Sequence, residues 1–422
     1  MKYILSLVLL LPFLSFSQGT VEKDIDAIED KLIEWRHYFH QNPELSNREY
    51  KTAEKIAEHL NQLGLDVETG IAKTGVVGVL KGAQPGKVIA LRADIDALPV
   101  TERNDLPFKS EVRTTFLNTE TGVMHACGHD THIAILMATA EVLSKHKDKL
   151  KGTVKFIFQP AEEGPPPGEE GGAKLMVKEG VLDNPKVDAI FGLHINSETP
   201  VGTIKYKIEG IMAAVERFVI TVKGKQTHGS QPWSGVDPIL ISAKIIDGLQ
   251  TIISREAKLT DEAAVITVGK ITSGTRFNII PESAELIGTV RTLDPEMREM
   301  IIERMTEMAQ TIAKAYGGEA EVTFQNNASI TFNDPDLTQQ ILPSLHKVAG
   351  KENVEIMKAT TGGEDFSFFQ EKVPGVYFFL GGMTPGNTKP YPHHTPDFRI
   401  DDSGMLLGVK AFTQITFDYL NN

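Results

Sequence analysis

Three histidines and the only cysteine of the chain lie in the segment MHACGHDTH, residues 124–132. Cys127 and His129 flank Gly128, so a bent loop can turn both side chains into one small site. A thiolate and an imidazole suit zinc, cobalt or nickel better than magnesium or calcium. The segment therefore predicts a metal site. Residues 133–143 are apolar at helical spacing, which predicts that this loop leads into a helix.

Two other interpretations of this segment are open. Cys127 could be a buried apolar residue beside surface histidines. It could also be a nucleophile that uses His129 or His132 as its base. The acidic and imidazole groups elsewhere in the chain fit a cation better than a cysteine nucleophile.

Two aspartates follow a predicted buried strand at residues 88–91. In open α/β sheets, binding sites collect at the carboxyl ends of strands. Asp94 is the better candidate for orienting a metal ligand or bridging two metals, and Asp96 could serve the same site. The alternative is that both are solvated turn residues.

Two adjacent glutamates, Glu162 and Glu163, follow the predicted strand 154–158. Neighbouring side chains in an extended segment point in opposite directions, so one can bind a metal while the other faces a water molecule. Activating that water requires a general base near neutral pH, and a partly desolvated carboxylate can fill this role. The loop that follows, residues 164–172, is rich in glycine and proline and suits the border of a site.

Histidines follow two more predicted strands. His194 comes after residues 187–193, and residues 376–380 lead into the loop PYPHHTPD, residues 390–397. A single histidine after a strand is more often structural, but the repeated placement of metal-type groups weakens that argument here. One histidine of the pair in the proline-flanked loop could complete the site.

Residues 1–17 have the pattern of an export signal. Lys2 precedes an apolar run at residues 3–16, and small residues near the end make Gln18 the expected mature N-terminus. The run is too short to span a bilayer, and no later stretch is apolar enough to do so. We therefore expect a protein without a membrane span, in the periplasm or outside the cell.

The formal net charge of −13 argues against nucleic acid or an anionic membrane as a partner. A single cysteine excludes an internal disulfide, although export would permit one. Removing the signal leaves a chain too long for one hydrophobic core, which predicts two domains.

The middle of the chain predicts a complete unit of its own. Its elements follow the order β-α-β-β-α-β, which is the split ferredoxin-like arrangement. We therefore expect an α/β fold in which residues 18–212 and 327–422 form a catalytic domain with a mixed sheet flanked by helices, and residues 213–326 form an inserted α+β domain. The predicted elements of the insert are strands at 216–223, 263–271, 284–292 and 319–324 and helices at 239–253 and 297–316.

Two loops of the predicted insert carry polar groups. His228 lies in a glycine-flanked loop after a strand, and Asn278 lies between two strands. Each alone fits a surface position. If the insert folds over the metal, both could donate hydrogen bonds to a developing oxyanion.

Taken together, the motifs resemble the co-catalytic metallo-amidohydrolases related to aminoacylase, in the branch that holds hippurate hydrolase, N-acyl-amino-acid amidohydrolases and auxin-conjugate hydrolases. The resemblance covers essentially the whole mature chain. Thr131 departs from it, because glycine is usual there. The motifs are RHYFHQNPEL (36–45), RADIDALP (92–99), MHACGHDTH (124–132), QPAEEG (159–164), GLH (192–194), GKQTHGSQP (224–232), RFNIIP (276–281) and HHTPDF (393–398).

The resemblance implies a catalytic site with two divalent metal ions per subunit, manganese or zinc, with cobalt or nickel as alternatives. It implies that Glu162 is the catalytic acid and base, that Asp94 supports the metals, and that His228 helps bind substrate, often across a homodimer formed by the insert. The implied metal ligands are Cys127, His129, Glu163, His194 and His394.

The implied reaction is hydrolysis of the amide bond of an N-acyl amino acid of the hippurate or N-acetyl type. A metallo-dipeptidase or carboxypeptidase acting on short peptides at the same site is the nearest alternative. A binding protein with purely structural metals is an alternative from another class.

Overall fold

The computed structural model describes residues 15–421. The predicted export signal therefore lies outside the described residues, apart from residues 15–17, which begin the first helix. Within the described part, no helix combines the length and the apolar character that crossing a membrane requires. The helices are α1 Ser15–Asp26, α2 Glu29–Gln41, α3 Tyr50–Gln62, α4 His129–Lys145, α5 Gly172–Lys178, α6 Pro238–Thr251, α7 Pro295–Ala315, α8 Pro335–Ala349, α9 Ser367–Gln370 and α10 Met405–Asn421.

The strands form one large sheet, one smaller sheet and several short ribbons. They are β1 Asp66–Ile71, β2 Gly75–Lys81, β3 Gln84–Asp94, β4 Arg113–Phe116, β5 Thr119–Gly122, β6 Lys151–Gln159, β7 Ala189–Pro200, β8 Ile204–Tyr206, β9 Glu209–Met212, β10 Ala214–Lys223, β11 Thr227–His228, β12 Ala264–Ser273, β13 Ile279–Ile280, β14 Ser283–Thr292, β15 Glu319–Ala328, β16 Thr331–Asn333, β17 Val354–Ile356 and β18 Gly375–Met383.

The large sheet has the order β1-β2-β6-β3-β7-β18-β8-β17. Its four central strands, β6, β3, β7 and β18, run parallel to one another, whereas β1 and β2 are antiparallel. Parallel central strands are buried on both faces, which explains their nearly continuous apolar sequences. Their carboxyl ends meet at one edge, and the predicted metal ligands, Asp94 and Glu162 come from these four strands or from the connections after them.

Helices cover both faces of this sheet. On one face, α4 is buried over almost its whole length and packs with α2, α3 and α10, and α8 packs against α10. On the other face, α5 and α9 cover a smaller apolar cluster. The larger core therefore lies directly behind the N-terminus of α4, where the Cys127–His129 loop ends.

The second sheet has the order β12-β14-β10-β15, and α6 and α7 cover one of its faces. In chain order these elements are β-α-β-β-α-β, so the predicted fold class is confirmed. Aspartates start both helices: Asp237 accepts from the backbone N–H of Ile239 at 2.9 Å, and Asp294 accepts from that of Met297 at 2.7 Å. Each is followed by proline at the first helical position, which favours a helix start. The limits of residues 213 and 326 for this unit stay a prediction.

A turn at Ala27 and Ile28 separates α1 from α2. Asn47 has a left-handed backbone with φ of 60°, and α3 begins after it, at Tyr50. One predicted position differs from the structure: His194 does not follow a strand but lies inside β7, which continues to Pro200 through its pairing with β18.

Candidate metal centre

The Cys127–His129 loop turns sharply into α4. Gly128 has φ of 92°, and a Cβ there would come within 2.4 Å of the Ile195 side chain, so glycine is required. Thr131, which departs from the resembled motif, donates its hydroxyl to the Gly128 carbonyl at 2.5 Å and is fully buried. The departure therefore fits this loop.

The five predicted metal ligands come together at the carboxyl edge of the large sheet. Cys127 Sγ lies 3.4 Å from His194 Nε2 and 3.2 Å from His394 Nε2. His394 Nε2 is 3.1 Å from Glu163 Oε1, and His129 Nε2 is 3.9 Å from the same oxygen. Side chains separated by up to 267 positions in sequence thus share one pocket.

The backbone sets which ring nitrogen of two histidines faces the pocket. His129 Nδ1 lies 2.9 Å from the carbonyl oxygen of Asp96, and His194 Nδ1 lies 2.6 Å from that of Ile195. A carbonyl only accepts, so each Nδ1 carries the proton and each Nε2 presents a lone pair to the pocket. Metal-binding histidines are typically oriented in this way.

Two buried atoms of the pocket, His129 Nε2 and Glu163 Oε1, make no hydrogen bond within the described residues, although Glu163 Oε1 lies close to His394 Nε2, at 3.1 Å. Cys127 belongs to two groups of possible ligand atoms, one with His129 and His194 and the other with Glu163 and His394. Within each group the ligand atoms lie close enough together to bind one ion. A mixed set of thiolate, imidazole and carboxylate suits a borderline divalent cation. The residues therefore fit a pair of metal ions that share ligands.

The structure separates the two aspartates, which the sequence left unresolved. Asp94 accepts from Arg92 Nη1 at 2.6 Å and lies 2.6 Å from His132 Nδ1. Asp96 accepts from Ser46 Oγ at 2.7 Å and from the Glu163 N–H at 3.0 Å. Asp96 Oδ1 is also nearer to His129 Nδ1 than Asp94 is, at 3.3 Å against 3.7 Å. Asp96 therefore holds two ligands directly, whereas Asp94 belongs to the layer beneath them.

His132 is not free to act as a ligand or as the base of a cysteine nucleophile. Its Nδ1 faces Asp94, and its Nε2 accepts the backbone N–H of Ile195 at 2.8 Å. Burial, reinforced by the charges of Glu163 and Glu162, raises the pKa of the Cys127 thiol. A cysteine nucleophile requires a lowered pKa, so these surroundings favour a metal site over a cysteine nucleophile.

Glu162 lies beside the five ligands in an acidic, buried environment. Its Oε2 is 3.9 Å from His129 Nε2, and it clusters with Glu364 and Asp365. Burial raises the pKa of Glu162 well above its ordinary value, and the charges of Glu364 and Glu163 raise it further. A carboxyl group in such surroundings can both accept and release a proton near neutral pH.

Arg92 is the buried cation that holds these acids in place. Its guanidinium donates to Gln159 at 2.7 Å, to Asp94 at 2.6 Å, to Glu364 at 2.9 Å and to Asp365 at 3.2 Å. Glu364 also accepts the hydroxyl of Tyr377 at 2.6 Å. One arginine therefore connects β3, β6 and the loop before α9 beneath the pocket.

These supporting groups were missed in the sequence. Arg92 and Asp94 are two apart on a strand and so share a face, which was a usable signal. Glu364 and Asp365 follow two glycines, as an acidic pair in a loop, but no predicted strand precedes them. His393 was left as an alternative to His394; its Nε2 accepts the Ser197 N–H at 3.2 Å, and its Nδ1 is 3.8 Å from Cys127 Sγ. The structure thus makes His394 the ligand candidate and His393 its support.

The pocket opens into a cleft of about 1630 Å³ between the large sheet and the insert. Glu162, the ligands other than His129, and Arg291 of β14 are among its lining residues. His228 and Asn278 are not. They meet each other at the tip of the insert, where the Gly229 N–H donates to the Asn278 carbonyl at 2.8 Å. His228 is exposed, so the single chain does not bring the two predicted substrate residues to the metal site.

Comparisons with known proteins agree with this geometry. The model of peptidase family M20/M25/M40 matches residues 90–418. Thermostable carboxypeptidase 2 of Saccharolobus solfataricus is 41% identical over 403 residues, which cover 95% of this chain and 98% of that protein. N-acetylcysteine deacetylase of Bacillus subtilis is 38% identical over 392 residues, covering 92% and 97%.

A solved structure is similar over nearly its full length. The Bacillus subtilis YXEP protein, described as a dinuclear metal-binding peptidase from the M20 family, superposes with a TM-score of 0.78 at 36% identity, covering 94% of this chain and 99% of that one. The resemblance drawn from the motifs is therefore confirmed. The chain belongs to peptidase family M20/M25/M40, and it is a hydrolase of that family.

Proposed function

We propose that this protein is an exported, metal-dependent amidohydrolase that cleaves the amide bond of N-acyl amino acids. The observation that carries the proposal is the position of Glu162 beside five converging metal-type ligands in a cleft large enough for a small substrate. The acidic and imidazole groups in the pocket suit the activation of water more than covalent catalysis.

The five clustered side chains would hold two divalent cations. When bound, such ions polarise a carbonyl group and lower the pKa of water from about 15.7 toward about 7. The protein's own groups orient these ligands: Asp96 accepts from the Glu163 N–H, and the Ala126 carbonyl accepts the His394 N–H at 2.8 Å. The ligand set is therefore fixed from the backbone side before any substrate arrives.

Glu162 would move the proton. It would take one from the attacking water and return it to the nitrogen of the leaving amine, so that the amide C–N bond breaks and an acid and an amine leave. The raised pKa of Glu162 matches this double role, because a carboxyl group of ordinary pKa has lost its proton at neutral pH and has none to return.

Arg291 would hold the carboxylate of the amino-acid half of the substrate. It lines the cleft from the insert side and is half-buried, yet its guanidinium has no ion-pair or hydrogen-bond partner among the described residues. A carboxylate matches a guanidinium in a bidentate pair. An unpartnered arginine facing the pocket therefore favours substrates with a free carboxylate.

A chelation and add-back assay over a small panel of substrates tests this function. The protein is stripped with a chelator, and activity is measured before and after adding manganese or zinc, on N-acetyl-methionine and hippurate. We expect activity to vanish on chelation and to return with metal. Turnover that survives complete metal removal would overturn the proposal, and so would the absence of turnover on every acylated amino acid.

A carboxypeptidase or dipeptidase using the same site is the second candidate, favoured by the name of the 41%-identical relative. Dipeptides and N-blocked dipeptides in the same assay separate the two. A higher kcat/KM on the peptides than on N-acetyl-methionine would replace the first candidate by the second.

We also propose that two chains associate through the insert and that export removes residues 1–17. The exposed His228 and the half-buried Asn278 would then act in a partner's cleft. Light scattering of the purified protein measures the first proposal, and mass spectrometry of the N-terminus after secretion measures the second, with Gln18 expected as the first residue.

A further inference from the structure

One face of the insert's sheet is open, and three of its cations lie close together near the catalytic cleft. Helices α6 and α7 cover the opposite face. In the register, Val215 pairs with Arg291, Arg217 pairs with Thr289, and Lys270 pairs with Ile287. Alternation along the strands places Arg217 and Arg291 on the open face, and the bulge between Val268 and Lys270 brings the lysine to the same face. Three basic residues from β10, β12 and β14 therefore form what we call the cationic face: Arg217, Lys270 and Arg291.

None of these three side chains has an ion-pair or side-chain hydrogen-bond partner among the residues described. The adjacent Glu216 points to the other face and pairs with Arg298 at 2.8 Å. The acids of the same face lie farther along the sheet. Glu285 and Glu321 pair in register with Thr221, which is four residues, or about 13 Å, along β10 from Arg217, and Glu319 pairs with Lys223 beyond them.

The cationic face is continuous with the catalytic cleft. A concavity of about 360 Å³ is lined by Arg217, Lys270 and Arg291, and it shares Val215, Arg291 and Asn327 with the cleft that holds the metal ligands. A group that leaves the cleft past Arg291 therefore meets Arg217 and Lys270 next.

We propose that the cationic face is a second carboxylate subsite and that the preferred substrates are N-acyl derivatives of acidic amino acids. This rests on the proposed amidohydrolase function. Arg291 takes the α-carboxylate, and Arg217 with Lys270 takes the carboxylate of the side chain. Arg217 and Arg291 are diagonal neighbours, whose Cβ atoms lie about 7–8 Å apart, and two flexible arginines over that distance can reach both carboxylates of one glutamate.

The test compares N-acetyl-L-glutamate with N-acetyl-L-glutamine, which has the same shape without the second charge. Wild-type protein loaded with metal should show the higher kcat/KM on the glutamate derivative. Arg217→Gln should lower the glutamate-to-glutamine ratio by about fivefold, which is what one partly exposed ion pair contributes. The loss should fall on KM, because the group binds the substrate far from the reacting bond. Arg217→Lys should keep most of the ratio.

Lys223→Gln is the matched control, because Lys223 lies on β10 at the far end of the same sheet. It should leave the ratio at the wild-type value. A wild-type ratio of one, or a ratio that Arg217→Gln and Lys270→Gln leave unchanged, would overturn the subsite. A preference for N-acetyl-glycylglycine that depends on Arg217 would also overturn it, because the only carboxylate of that compound is the main-chain one, one residue farther from the acetyl group than in N-acetyl-glutamate.

N-acetyl-methionine separates the two proposals. If it is hydrolysed but the glutamate-to-glutamine ratio does not behave as expected, only the subsite is wrong. If no substrate is hydrolysed, the amidohydrolase function itself is wrong.

Discussion

The metal pocket and the tip of the insert carry the same residue types in opposite surroundings. In the pocket, His129 and His194 are buried, and backbone carbonyls fix both rings. At the tip, His228 is exposed, and its Nδ1 contacts only its neighbour Ser230, whose N–H lies at 3.1 Å and hydroxyl at 2.7 Å. A single chain therefore brings the first group together by itself, whereas the second lies outside the cleft that holds the metal ligands.

The largest difference between the two regions should appear in catalysis. Glu162→Gln removes the proton acceptor but keeps the shape of the side chain, so kcat should fall by about 10²–10⁴-fold. Metal content, measured by elemental analysis, should stay at the wild-type value because Glu162 is not among the five ligands. Glu120→Gln, an exposed position on β5, is the control. Near-normal turnover in Glu162→Gln would contradict its assignment as the base.

Removing the cation beneath the pocket should cost stability. Arg92→Met leaves Asp94, Glu364 and Asp365 buried without their common partner, so the free energy of unfolding should fall by about 3–5 kcal/mol. Urea unfolding followed by circular dichroism measures this. Arg103→Met breaks the exposed pair with Asp397 and should change stability little. Equal losses in both variants would show that Arg92 has no special role.

Loss of the shared thiol should weaken metal binding. Cys127 Sγ contacts both His194 and His394, so Cys127→Ala removes a donor from both overlapping ligand groups. We expect the metal content after dialysis to fall below half of the wild-type value and the melting temperature to lose its dependence on added metal. Full metal retention would contradict the shared site.

The smallest expected effect on the folded chain belongs to the tip. His228→Ala should leave the melting temperature and metal content unchanged, because the ring is exposed and makes only a local contact. If a second chain uses this residue, kcat should nevertheless fall by about 10²–10³-fold, as for the loss of an oxyanion donor. Unchanged kinetics would restrict the active site to one chain.

The same contrast explains what the sequence made predictable. Glu163, His194 and one histidine of the pair 393–394 were identifiable because parallel strands deliver their carboxyl ends to one edge, so residues near the ends of separate strands converge. The choice of His394 came from the family resemblance. The choice between Asp94 and Asp96 could not be made from the sequence, because it depends on which of the two carboxylates faces His129 after β3 ends. Arg92 was quoted in a motif, but its partner Glu364 lies 272 residues away in sequence, and only the folded sheet joins them.

The insert was predictable as a unit because the hydrophobic patterns of all its strands and helices lie in one continuous stretch of sequence. Its position over the cleft was not predictable, because that position depends on contacts between the two sheets. Arg291 illustrates this: on β14 it reads as an ordinary exposed strand residue, and only the folded chain turns it toward the metal ligands.

The connection between the two units has a mechanical consequence. The chain enters the insert through β9 and returns through β16, and these strands pair with each other, Met212 with Thr331 and Gly210 with Phe332. A tilt of one unit against the other would therefore twist this two-stranded ribbon. A Cβ at Gly210 would come within 2.3 Å of the Leu293 carbonyl oxygen, so a bulkier residue there would displace the ribbon, and we expect it to change the width of the cleft.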